Sequence, residues 1–130
     1  MPPIIAPSLE DIERLADDAW RTIPAVLREV AKDVVISVED FPDEDVCHDM
    51  NLESPIELLG LYQGVAINER SVMDGAADID MVFLYRRPML DYWCESDEDL
   101  SLIVRHVLIH EIGHHFGFSD DDMETLEADA

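Results

Sequence analysis

The residues best suited to chemistry are His110, Glu111 and His114, which stand in the order H-E-x-x-H within His110-Glu111-Ile112-Gly113-His114. In a helix, residues four apart lie one turn apart on one face, so His110 and His114 can reach the same cation, and Glu111 flanks that face. Zinc suits such a pair, because it takes nitrogen, sulfur and carboxylate donors in a tetrahedron, and catalytic sites use three protein ligands while leaving the fourth position to water. Two histidines leave the set one ligand short. Gly117 stands where a helix C-terminus often needs a left-handed residue, and a turn there can bring Asp120 back as a third ligand. The extended pattern is H-E-x-x-H-x-x-G-x-x-D. Two simpler readings remain open: a helix with two locally hydrogen-bonded histidines and no metal, and an Asp120 that only caps the next helix.

The element that must carry the motif is a helix. Leu100, Ile103, Val104, Val107, Leu108, Ile109, Ile112 and Phe116 cover most of its circumference, so it is expected to be largely buried. Buried imidazoles and a buried carboxylate need partners, and a metal would supply one for both histidines. Ser96-Asp97-Glu98-Asp99 looks like the N-cap that begins this helix, and Ser119-Asp120-Asp121-Asp122 like the cap of a last short one packed through Met123 and Leu126.

Upstream, Ser8 caps an expected helix over roughly Leu9 to Arg21, with Leu9, Ile12, Leu15, Ala16, Ala19 and Ile23 at helical spacing. Pro24 restarts a second short helix bearing Val26, Leu27, Val30 and Ala31. Val34 to Val38 is β-branched and predicts a strand. Phe41 to Pro55, rich in acids, Pro and Asn, predicts an exposed loop, inside which Cys47 and His48 are weak metal-ligand candidates without further ligands at a site-like spacing. A helical turn is expected over Ile56 to Leu59. An extended stretch follows over Leu61 to Ile67, with Gly64 as a bulge, and then an Asp74-Gly75 turn. Ile79 to Tyr85, with Met81, Val82, Phe83 and Leu84 as a continuous apolar run, suits an inner strand covered on both faces, ended by Arg86-Arg87-Pro88, whose arginines are expected in salt bridges to nearby acids. Pro88 to Cys94 predicts another short helix. Together these give an α+β chain folded as one domain over residues 1–130, with residues 1–7 as a tail.

Thirty-one acidic residues against eight basic ones leave a formal charge of −23, which repels nucleic acid phosphates and anionic membrane surfaces. A solvated acidic surface explains that charge more simply than steering of cationic peptides. No apolar run approaches transmembrane length, and the N-terminal Met-Pro-Pro-Ile-Ile-Ala-Pro has no basic stretch of the kind a signal peptide carries. Cys47 and Cys94 form no C-x-x-C, which fits two reduced thiols and a cytoplasmic location.

From His110 to Met123 the sequence resembles the zincin metallopeptidases, and more narrowly the small bacterial zincin-like proteins with H-E-x-x-H-x-x-G-x-x-D on a minimal fold. Leu61-Tyr62-Gln63-Gly64, Tyr85-Arg86-Arg87-Pro88 and His110 to Gly117 all look like stretches of that family, so the resemblance covers roughly Ser8 to Leu126. It implies a small twisted mixed β-sheet packed against N-terminal helices and a buried metal-binding helix. It also implies one catalytic Zn2+ held by His110, His114 and Asp120, with Glu111 as general base in hydrolysis of peptides or unfolded protein segments. Larger metzincins add a methionine-containing turn well downstream of the third ligand, whereas Met123 comes three residues after Asp120 and is not assigned that part. The missing turn and the small size support an alternative, a zinc-binding protein of the same fold that regulates or binds a partner without turnover. The stretch from Leu61 to Ile67 is the expected substrate-pairing edge, and Tyr62, Tyr85 and His115 are candidate oxyanion donors.

Overall fold

A computed structural model describes residues 5–65 and 79–129. Helix α1 (Leu9–Thr22) begins with a capping box in which Ser8 Oγ accepts the Asp11 N–H at 3.1 Å and Asp11 accepts the Ser8 N–H at 2.8 Å. Its apolar stripe buries Ile12, Ala16 and Ala19 against the motif-bearing helix. Pro24 then caps the short helix α2 (Ala25–Val30), which contributes Leu27 to the same core.

Among the described residues three strands form one mixed sheet in the order β1-β3-β2. Strand β1 (Val35–Glu39) runs parallel to β3 (Ile79–Tyr85), while β2 (Gly60–Val65) pairs antiparallel with β3. The segment Ile79 to Tyr85, with its apolar run Met81 to Leu84, is thus the inner strand that its sequence predicts. The expected bulge at Gly64 is absent, since pairing runs without interruption from Gly60↔Leu84 to Val65↔Ile79. Gly60 is the glycine that β2 requires: a Cβ there would lie 2.5 Å from Val107 Cγ1 and 3.0 Å from the Phe83 carbonyl oxygen. Removing the side chain lets the strand approach the helix beneath it. Ala66, Ile67 and the expected Asp74-Gly75 turn lie outside the described residues.

The segment expected as an exposed loop contains helix α3 (Glu44–Asp49), capped by Asp43 Oδ1 on the Val46 N–H at 2.8 Å. Acidic composition concealed it, and burial of Val46 anchors it. The helical turn expected over Ile56 to Leu59 is a single 3-10 turn, Pro55–Glu57. Helix α4 (Arg86–Glu95) starts directly from β3, so Arg86 and Arg87 open it and Pro88 sits in its first turn, where a missing N–H costs nothing. Arg86 forms the expected salt bridge, 3.0 Å from Asp40, and also bonds the Pro7 carbonyl.

Helix α5 (Leu100–His115) carries the motif and buries Leu100, Ile103, Val104, Val107, Leu108, Ile109 and Ile112, packing against α1, β2, β3 and α4. Its N-cap is Asp99, not Ser96. Ser96 instead ends α4 and lies between the two helices, where its hydroxyl bonds the Trp93 carbonyl and the Glu98 N–H. Phe116, expected in the core, is 38% exposed because it is the C-cap residue, where the helical stripe ends. Helix α6 (Asp120–Asp129) folds back on α5. Among the described residues no helix is long and apolar enough to cross a membrane. Cys47 and Cys94 are free thiols.

Candidate metal centre

The turn after α5 sets the geometry of the site. Gly117 takes φ +84°, its N–H bonds the His114 carbonyl at 3.2 Å, and the Phe118 N–H bonds the Gly113 carbonyl at 2.8 Å. This pair of bonds is a Schellman ending, which needs a residue free to adopt the left-handed conformation at Gly117. The chain reverses there, and Ser119 starts α6 with a second capping box, accepting the Asp122 N–H at 3.0 Å while Asp122 accepts the Ser119 N–H at 3.1 Å. Asp122 is therefore the capping acid, which leaves Asp120 free of that duty. Met123, fully buried, seats α6 against Gly113, at a point where a Cβ would collide with its side chain.

Asp120 consequently faces the motif. His114 Nε2 lies 2.8 Å from Asp120 Oδ1, and the His110 and His114 rings stand almost perpendicular with centroids 5.6 Å apart. One ligand atom from each of His110, His114 and Asp120 lies within 4.8 Å of the other two. Two nitrogens and one carboxylate oxygen are a donor set that zinc accepts, and donors on a tetrahedral zinc lie roughly 3.3–3.5 Å apart. The His114–Asp120 contact is shorter than that, as suits a direct hydrogen bond, and both side chains are exposed enough to part by the required half ångström or so. The residues fit the ion.

Electrostatics favour the metal-binding forms. Burial, and then the neighbouring His106 imidazole, hold His110 below its ordinary value, which keeps the ring neutral as a ligand must be. The hydrogen bond from His114 holds Asp120 below the usual carboxylate range. Glu111 behaves oppositely: burial raises it, while the Tyr62 N–H, 3.2 Å from Glu111 Oε1, and the His114 ring pull it back. A carboxylate with a raised affinity for protons beside a histidine pair is suited to accept one.

The remaining sequence candidates separate. Tyr62 lies on β2, but its ring stacks on His115 at 3.8 Å and 14°, and burial with the Asp80 carboxylate pushes its hydroxyl up to about 12. His115 is taken up by that stack and by Phe116. Tyr85 is fully buried, with its hydroxyl raised by burial and surrounding acids. Cys47 and His48 belong to α3 and join no three-donor group among the described residues.

Two residues enter that sequence reasoning did not single out. His106, one turn before His110, and Glu127, seven residues after Asp120 on α6, face one another: His106 Nδ1 lies 3.1 Å from Glu127 Oε1, and His110 Nε2 lies 3.7 Å from the same oxygen. The signal for His106 was its four-residue spacing from His110, and for Glu127 its two-turn spacing from Asp120.

A helix bearing H-E-x-x-H, laid against a small mixed sheet with its glutamate under the terminal strand, places the molecule among the zincins. The chain belongs to the zincin-like metallopeptidase family, whose model matches residues 31–130. The fold is also similar to a solved structure, a conserved hypothetical protein from Thermus thermophilus. That protein is 19% identical, with 84% of this chain and 94% of that one covered and a TM-score of 0.52. No curated protein sequence matches the chain.

Proposed function

We propose that this protein is a zinc-dependent peptidase acting on extended peptides or unfolded protein segments. The observation that carries the reading is the convergence of His110, His114 and Asp120 on one point, with the Glu111 carboxylate on the same helix. Bound there, zinc would supply Lewis-acid chemistry, lowering the pKa of water and polarising the scissile carbonyl. The chain's own residues supply the rest. His110 and His114 would hold the ion from consecutive turns, with Asp120 as the third protein ligand. Glu111 accepts the proton from the attacking water and delivers it to the leaving amine, a role that its raised proton affinity supports.

Among the described residues strand β2 lies at the end of the sheet, and its Tyr62 N–H already reaches Glu111, so the strand edge and the base are neighbours. An extended substrate added along that edge would carry its backbone past the metal site. The test is cleavage of a peptide library by zinc-loaded protein, read by mass spectrometry, with a chelated sample and a zinc-restored sample alongside. Cleavage that disappears with chelator and returns with zinc is expected. Zinc bound stoichiometrically without cleavage of any peptide would overturn the peptidase reading in favour of a non-catalytic binding protein.

A further inference from the structure

His106, His110 and Glu127 form a second three-donor group that the peptidase reading does not use. His106 and His110 present neighbouring rings, with centroids 4.0 Å apart, on consecutive turns of α5, and Glu127 meets them from α6. Glu127 Oε1 is buried and accepts no hydrogen bond, although His106 Nδ1 stands 3.1 Å away and His110 Nε2 3.7 Å away. The hydrogen bond between His106 Nδ1 and this carboxylate, at 3.4 Å, involves the other oxygen, Oε2. A buried carboxylate oxygen without a hydrogen-bond donor is costly. Its two distances bracket the roughly 3.3–3.5 Å that separates donors on a tetrahedral zinc.

We propose that His106, His110 and Glu127 form a second divalent-cation site, overlapping the first through His110. A neutral imidazole has one lone pair for a metal, so His110 ligates one ion at a time and the two groups are alternatives. An ion in the second group leaves His114 and Asp120 as a two-donor remnant. The site therefore works against the first, and Glu127 governs how the ion is shared between them.

The proposal shares His110 with the peptidase reading but does not require turnover, and zinc titration against a chelating dye tests it in the full-length chain. Four proteins are compared: the parent, Glu127→Gln, the double variant His114→Ala/Asp120→Asn, and that double variant carrying Glu127→Gln as well. The double variant keeps the second group whole, and its altered residues are largely exposed. It is expected to bind about one equivalent of zinc, and adding Glu127→Gln should weaken that binding at least tenfold, as loss of a direct ligand does. His106→Asn, at a more exposed position, replaces Glu127→Gln if the latter fails to fold by circular dichroism, and the same loss is expected. Glu127→Gln alone should keep one equivalent, held by His110, His114 and Asp120. A double variant that binds no zinc, or binds it equally with and without Glu127, overturns the second site. Failure of the first site looks different: the double variant would then bind zinc as tightly as the parent, while Glu127→Gln alone would lose it.

Discussion

His114 Nε2 and Asp120 Oδ1 stand 2.8 Å apart across the turn that ends α5, six residues apart in sequence and on different helices. Asp121 and Asp122 share the acidic first turn of α6, but Asp122 bonds back to Ser119 and neither contacts a motif histidine. The spacing after Gly117 thus brings one aspartate of the three to a motif histidine.

Substituting that aspartate should separate a ligand from a cap. Asp120→Ala is expected to weaken zinc binding by orders of magnitude, as loss of a direct ligand does. Asp121→Ala should bind zinc like the parent. Asp122→Ala should cost about 1 kcal/mol of stability through its capping box while keeping zinc. Dye-competition titrations with thermal melts read both effects, and parent-like zinc affinity in Asp120→Ala would remove it from the site.

Gly60→Ala tests the close approach of β2 to α5. The added Cβ meets Val107 Cγ1 and the Phe83 carbonyl oxygen, so overpacking should cost about 1–3 kcal/mol in denaturant unfolding. Val107→Ala combined with it should recover part of that loss, because one of the two obstacles is removed. Strictly additive losses in the double variant would mean that the strand and the helix do not meet there.

The pH response of the metal-free chain follows from His110. Its pKa in the folded state lies below the ordinary 6.5, so the unfolded chain binds the extra proton first as pH falls. Its contribution is present above pH 6.5 and is lost as pH drops from there towards the lowered folded value. Removal of the imidazole in His110→Gln should flatten the slope of stability against pH in that interval. A parent and a variant with parallel profiles would mean that the folded chain leaves this imidazole unperturbed.

Much of the geometry around the candidate site was legible in the sequence because its determinants are local. The H-E-x-x-H spacing, the glycine three residues beyond His114 and the Ser119 cap each act within one or two turns, so their residue types carry the geometry. The inner strand was equally plain, since Ile79 to Tyr85 has few polar residues to leave exposed. What escaped depended on distant contacts. Gly60 matters because of where Val107 lies beneath the strand, and Gly64 pairs regularly with Asp80 instead of forming a bulge. The meeting of Glu127 with His106 and His110 exists only once α6 has folded back on α5. Helix α3 was hidden by an acidic composition that an exposed loop shares, and Ser96 had the look of a cap yet stands between two helices.

Tyr62 donates its backbone N–H to Glu111 from the sheet's terminal strand, and glutamine at position 111 can still accept that bond while being unable to take a proton from water. The most direct measurement is therefore the rate at which zinc-loaded parent and Glu111→Gln, matched for zinc content, cleave the same peptide substrate. The account predicts equal zinc occupancy and a rate lower by about 10²–10⁴-fold in the variant, the usual contribution of a positioned general base. Equal rates in the two proteins would contradict it.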